Sequence, residues 1–247
     1  MMQTNNKYDN IHKAWLYRVL EAISSDAYLS TVLYFKGGTC ASMLGWLDRF
    51  SVDLDFDYSG TSNDISKTRE ALAVIFADLG LSIKDSSKNG LQYFLKYGNN
   101  DNHRTILKID ASFPLFKSSQ YAPQRFFEID RVFICQTKET MFAHKLCAIM
   151  DRFEKTGHIA GRDLYDIHHF FMNGYDYDAD VIYERTHLLV KEFFQKLILF
   201  IEKNVTDQVI TEDLSSLIEL AKFKILRKVL KREVIKLLKD EVESFKK

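Results

Sequence analysis

The chain has 247 residues, 46% hydrophobic and 28% charged, which is ordinary for a folded globular protein and enough for one large domain or two modest ones. Its 34 basic and 34 acidic residues cancel, so the whole-chain field announces no polyanion partner. Three scattered cysteines, Cys40, Cys135 and Cys147, form no CxxC pair, which argues against a zinc site or a disulfide framework and for reduced thiols.

The opening MMQTNNKYDN lacks the basic-then-apolar order of a secretory signal. No apolar run of about eighteen residues exists to span a bilayer. A cytoplasmic protein with no membrane contact is expected. From Asp9 to about Ser25, Ile11, Trp15, Val19 and Ile23 recur near helical spacing. TVLYFKGG then reads as a short strand breaking at glycine, and TCASMLGWLDRF as a helix. SVDLDFDY alternates with period two, as a strand with distinct faces does. Residues 63–80 look helical, and strands are expected around 91–97, 104–113 and 126–135. Both prolines, Pro114 and Pro123, fall in FPLFKSSQYAPQRFF, which reads as a loop. Beyond Lys138 the pattern is helical: KETMFAHKLCAIMDRF, GRDLYDIHHFFM, and long helices around 179–203 and 211–247. Strands in the first half and helices in the second favour an α+β domain, residues 1–136, followed by a helical domain, 137–247.

The alternating strand poses a physical question. Asp53, Asp55 and Asp57 share one face, while Val52, Leu54 and Phe56 share the other. Like charges within about 7 Å of one another are unfavourable unless something positive lies there. A divalent cation answers this, and magnesium is usually held by one or two carboxylates plus substrate phosphates. A solvated acidic edge strand answers it equally well. The KGGT turn, Lys36 to Thr39, shifts the balance: it follows a strand and opens a helix. Glycine lets backbone approach a ligand closely, and a helix N-terminus offers free N–H groups. A phosphate-binding turn beside a metal-binding strand makes a nucleoside triphosphate site.

KGGT, nine residues, then RFSVDLDF resembles the first motif of the AbiEii/AbiGii toxin family of nucleotidyltransferases, within the DNA polymerase-β-like superfamily. HKLCAIMDRF, residues 144–153, resembles that family's KLxAlxdR helix, and GRDLYDIHHFF, residues 161–171, its RDlyDl helix. The resemblance covers about residues 30–172. It implies a nucleotidyltransferase-type mixed sheet with flanking helices, and a helical domain contributing catalytic-side residues.

The resemblance implies metal binding by Asp53 and Asp55, with Mg2+ or Mn2+. A third carboxylate from a neighbouring strand is usual in the superfamily; Asp110 in TILKIDASF is the candidate, or it merely ends a strand. Asp57 reads as solvated. Gly37, Gly38 and Thr39 match the phosphate turn. Ser51 bonds a phosphate or starts the strand, and Arg49 neutralises phosphate or forms a buried ion pair. Lys145 and Arg152 share a helix face, and Lys145 matches the lysine that reaches the triphosphate. Asp166 either positions Lys145 or acts as general base. His168 and His169 read as packing.

The implied activity is transfer of a nucleotidyl group from an NTP to an acceptor, in particular the 3′ end of a tRNA, by the toxin of a toxin–antitoxin or phage-defence pair with a cognate antitoxin. The rival readings are modification of a protein hydroxyl, by AMP transfer or phosphorylation, and a non-catalytic nucleic-acid-binding module. One feature stands apart from the motifs. From Lys222 to Lys247 ten basic residues face four acidic ones, and apolar residues at 223, 226, 230, 234, 237 and 238 make the segment amphipathic. It reads as a docked helix with a solvated basic face, or as a surface for RNA.

Overall fold

The computed structural model describes residues 7–98 and 105–245. Residues 1–6, Arg104 at the head of the expected 104–113 strand, and residues 246–247 at the end of the expected last helix lie outside the described residues. The chain divides into two compact units: Met1–Gly45, Ser51–Leu115 and Tyr121–Gln136 form the first, and Trp46–Phe50, Phe116–Gln120 and Thr137–Lys247 the second.

In the first unit, α1 (Lys7–Ser25) and α2 (Leu29–Val32) lead into β1 (Leu33–Lys36), α3 (Gly37–Met43) and β2 (Asp53–Tyr58). A 3-10 turn and α4 (Ile65–Asp78) precede β3 (Ser82–Ser86), β4 (Leu91–Lys96), β5 (Ile106–Ser112), β6 (Tyr121–Phe126) and β7 (Arg131–Gln136). Among the described residues these strands make one mixed seven-stranded sheet in the order β3-β4-β5-β2-β1-β7-β6. The pairs β2–β5 and β1–β7 are parallel and the others antiparallel. The mixed α/β class is thus the one expected. Alternation puts Phe35, Leu54, Phe56, Leu95 and Ile109 on one buried face. Their counterparts are Leu16, Val19, Leu20 and Ile23 of α1 and Leu72 and Phe76 of α4, all buried. Each such side chain contributes roughly 1.5–3 kcal/mol by leaving water.

The structure corrects several expectations here. The helix expected through Phe50 ends at Met43, because Gly45 takes φ +72 and turns the chain out of helical geometry. The expected loop around Pro123 contains β6, whose place at the sheet edge leaves the missing proline N–H without a ladder partner to lose. The expected 126–135 strand is a β6–β7 hairpin, with Asp130 at φ 49 in its turn. Strand β3 is exposed along almost its whole length, so its SIKDS shows no buried alternation to read. Ile11 is 40% exposed, and His12 and Leu16 occupy the buried stripe of α1 instead.

The second unit is helical: α5 (Lys138–Thr156), α6 (Gly161–Met172), α7 (Ala179–Thr186), α8 (Val190–Asn204), α9 (Asp207–Leu214), α10 (Leu220–Leu226) and α11 (Leu230–Ser244). Thr137 caps α5, and Gly157 at φ +70 closes it. The two long C-terminal helices expected from the pattern are five shorter ones. His187 at φ 56 ends α7. Thr206 starts α9 by accepting from the Val209 N–H at 3.3 Å. Between α10 and α11 the N–H groups of Lys228 and Val229 bond three residues back, a tight turn that breaks the run. Helix α6 packs against α5, α9 and α11 and is buried nearly all round. It carries Asp163, Asp166 and His168 into that interior, so each needs a partner there. Among the described residues no helix is long and apolar enough to cross a membrane.

Candidate active-site residues

The register of β2 with its neighbours arranges the polar face of the first unit in rows. Asp53 lies beside Lys108, Asp55 between Lys36 and Asp110, and Asp57 between Tyr34 and Ser112. Paired residues share a face, so acids and lysines meet there. Lys36 Nζ donates to Asp57 Oδ1 at 2.7 Å and to Ser112 Oγ at 3.0 Å. The Tyr121 hydroxyl and Gln136 Nε2 donate to Asp57 Oδ2 at 2.8 and 2.6 Å. Asp57 is 4% exposed, which overturns its reading as a solvated acid: it anchors three strands. Lys108 Nζ and Gln92 Nε2 donate to Asp110 Oδ2 at 2.7 and 2.8 Å. Two lysines therefore offset part of the like-charge repulsion. Among the described residues Asp53 makes no ion pair.

Gly37 explains why the turn needs glycine. Its φ of +82 is a conformation that side chains disfavour. A Cβ there would also lie 2.5 Å from Asp55 Oδ2 and 2.9 Å from Asp55 Cβ. The second acid's carboxylate thus rests directly on the opening turn of α3. The backbone around the first acid is held by two buried side chains. Thr39, 2% exposed, donates its hydroxyl to the Asp53 carbonyl at 2.5 Å. His12 Nε2 lies 2.8 Å from the Val52 carbonyl, so it is the donor. Its Nδ1 lies 2.6 Å from the Tyr97 hydroxyl, so both ring nitrogens are engaged. The Thr39 hydroxyl, expected on phosphate, is committed to the strand here. Gly38 is buried and Ser51 half-buried.

Among the described residues no three His, Cys, Asp or Glu side chains gather into a ready-made metal site. Asp53 and Asp55 are alternate residues on one face. Carboxylates so placed are of the kind that hold magnesium when phosphates complete its shell. That donor chemistry fits a cation arriving with a triphosphate. Asp110 is in register with Asp55, with Oδ2 engaged by Lys108 and Gln92.

In the second unit Asp166 is the hub, 0% exposed. Arg49 grips it bidentately, Nε to Oδ1 at 2.5 Å and the second guanidinium nitrogen to Oδ2 at 2.8 Å. Lys145 Nζ donates to Oδ2 at 2.6 Å. Burial alone would raise the Asp166 pKa, but the Arg49 and Lys145 charges outweigh it and hold it at about 2. Such a carboxylate is a poor proton acceptor near neutral pH and a strong anchor. Of the two roles open for Asp166, the geometry favours positioning Lys145. Of the two open for Arg49, it shows the buried ion pair. Further along the same helices, Arg152 Nε donates to Asp163 Oδ2 at 2.9 Å.

A second polar cluster escaped the sequence reading. Asp48 accepts from the Tyr165 hydroxyl at 2.5 Å, lies 3.0 Å from His169 Nδ1, and pairs with Lys222. Burial opposes the charge on Asp48, but these donors hold its carboxyl well below the usual range. His168 meets Glu233 at 2.8 Å, and burial pushes its pKa down.

Residues 18–244 match the family model described as nucleotidyl transferase AbiEii toxin, type IV TA system. Among solved structures the chain is similar to JHP933 from Helicobacter pylori, with a TM-score of 0.55 and 18% identity over 98% of each chain. It is also similar to MenT4, a nucleotidyltransferase toxin from Mycobacterium tuberculosis, with a TM-score of 0.55 and 16% identity over 94% of this chain and 84% of that one. At such identities the likeness concerns the fold. No match was found among curated proteins.

Proposed function

Because this chain belongs to the AbiEii nucleotidyl transferase toxin family of type IV toxin–antitoxin systems, we propose that it transfers a nucleotidyl group from an NTP to the 3′ end of a tRNA. The observation that carries the reading is the contact between Gly37 and Asp55: turn and acid strand are built against each other, with no room for one methyl group. Asp53 and Asp55 would hold Mg2+ or Mn2+, which when bound neutralises phosphate charge and activates the acceptor hydroxyl.

In this reaction the acceptor oxygen bonds to the α-phosphorus as that atom's bond to the pyrophosphate oxygen breaks. Pyrophosphate leaves and the hydroxyl proton passes to solvent. The chain's own residues hold and orient. Thr39 and His12 fix the backbone of β2 where Asp53 projects. Lys36 and Lys108 moderate the repulsion among the acids. Lys145 supplies an ammonium able to meet a phosphate oxygen, and Asp166 anchors it. Halting translation by blocking tRNA would make the protein a toxin in phage defence, restrained by a cognate antitoxin.

The test is to incubate purified protein with each labelled NTP, magnesium and total tRNA. Label on tRNA that disappears on chelation is expected. Label on a protein hydroxyl instead would install the AMP-transfer reading, and no label with any NTP would remove the activity.

A further inference from the structure

The structure sorts the cations of the C-terminal segment into two sets. Lys222 is engaged, paired with Asp48 and donating to the Tyr165 hydroxyl at 2.8 Å. Lys231 donates to the carbonyls of Glu202 and Val205 at 3.0 and 2.7 Å, closing the C-terminal end of α8. Two nearby acids are engaged as well: Glu233 with His168, and Glu241 with the Tyr177 hydroxyl at 2.9 Å. Lys224, Lys228 and Arg232 are exposed. Among the described residues their side chains make no hydrogen bond or ion pair. Arg227 is exposed beside them, its guanidinium over the Phe223 ring at 6.0 Å. The surplus positive charge is therefore concentrated on the outer side of α10, the turn after it and the start of α11.

We propose that Lys224, Arg227, Lys228 and Arg232 form a binding surface for the phosphate backbone of RNA, an inference that rests on the RNA-acceptor reading above. Two observations select this partner. A basic amphipathic helix binds a lipid surface by burying its apolar face in the bilayer. Here Phe223, Leu230, Val234 and Leu238 are already buried in the protein core. Leu220 and Ile225 of α10 are exposed as well, but charge predominates on the outward side, and a polyanion in water satisfies it. The segment also offers no exposed ring beside these cations for base stacking, so the contact is to phosphates and indifferent to sequence.

The experiment compares wild type with the full chain bearing Lys224→Glu, Lys228→Glu and Arg232→Glu, measuring affinity for fluorescein-labelled tRNA across a salt series. The expected result is at least tenfold weaker binding at about 0.1 M salt. The slope of log K against log salt should be shallower by about two, since each phosphate that the protein neutralises adds roughly 0.7–0.9 to it. NTP binding should not change. A triple Gln variant, expected to fall between the two, keeps the comparison readable if the Glu variant melts early. Unchanged affinity and slope in a folded variant overturn the proposal. So does binding of wild type to phosphatidylserine vesicles that the variant loses while keeping tRNA. Loss of tRNA binding in the variant, with no tRNA labelled by wild type, upholds this surface and defeats the acceptor reading. Undiminished binding with tRNA still labelled does the reverse.

Discussion

Gly37→Ala separates a glycine kept for its backbone from one kept for its neighbour. Gly45 serves as the control, because the two glycines share left-handed backbone angles, φ +82 and +72, but only Gly37 has a side chain in the way. A Cβ at Gly45 meets nothing within 4 Å. The left-handed conformation alone should cost each alanine about 1–2 kcal/mol. At Gly37 the new carbon would also lie 2.5 Å from Asp55 Oδ2. Reaching an ordinary contact of about 3.5 Å requires a displacement of about 1 Å. The carboxylate must swing or β2 must move, and a misplacement of that size can lower a rate about a hundredfold. Denaturant melts of both variants, with labelled-NTP transfer under magnesium, make the comparison. Gly45→Ala should lose stability and keep turnover. Gly37→Ala should lose at least as much stability and about a hundredfold in turnover. Equal behaviour of the two variants in both assays would refute the claim that turn and acid strand are built against each other.

Asp53→Asn should abolish transfer and leave the fold intact, with a melting temperature in chelator equal to or above wild type, since a like charge is gone; full activity would end the metal-binding assignment. Asp166→Ala should cost about 3–5 kcal/mol in a denaturant melt, because it strands the buried Arg49 guanidinium; a loss below about 1 kcal/mol would mean that the pair is hydrated. The pH dependence of stability follows from the same group. Its folded pKa is lowered to about 2. Its contribution is therefore complete above the unfolded value of about 4 and lost as pH falls through about 2. Wild type should weaken between about pH 4 and 2 more than Asp166→Asn does, as urea melts across that window would show. In the rate profile no ionisation of Asp166 should appear near neutral pH; a limb there that vanishes in Asp166→Asn would restore the general-base role.

Part of the first unit, β1, β2 and α4 among it, was legible because its signals are local, whereas β3 and β6 were not. Period-two alternation in DLDFDY and the paired glycines of KGGT depend on residues a few positions apart, and backbone geometry alone converts them into faces and turns. The motif helices KETMFAHKLCAIMDRF and GRDLYDIHHFFM were legible for the same reason, one closing at Gly157. What each charged residue does was not legible, because a charge is defined by its partner and partners are distant in sequence. Asp57 alternates like Asp53 and Asp55, yet it is a buried anchor because Lys36, Tyr121 and Gln136 arrive from three other strands. Arg49 was as well suited to phosphate as to a carboxylate until α6 brought Asp166 to it across 117 positions. Lys231 and Lys228 look alike in the basic segment, but only Lys231 lies within reach of the carbonyls that end α8. Register and helix packing set these distances, and desolvation makes each consequential: a buried charge must be matched, whereas an exposed one is left for solvent or for a partner.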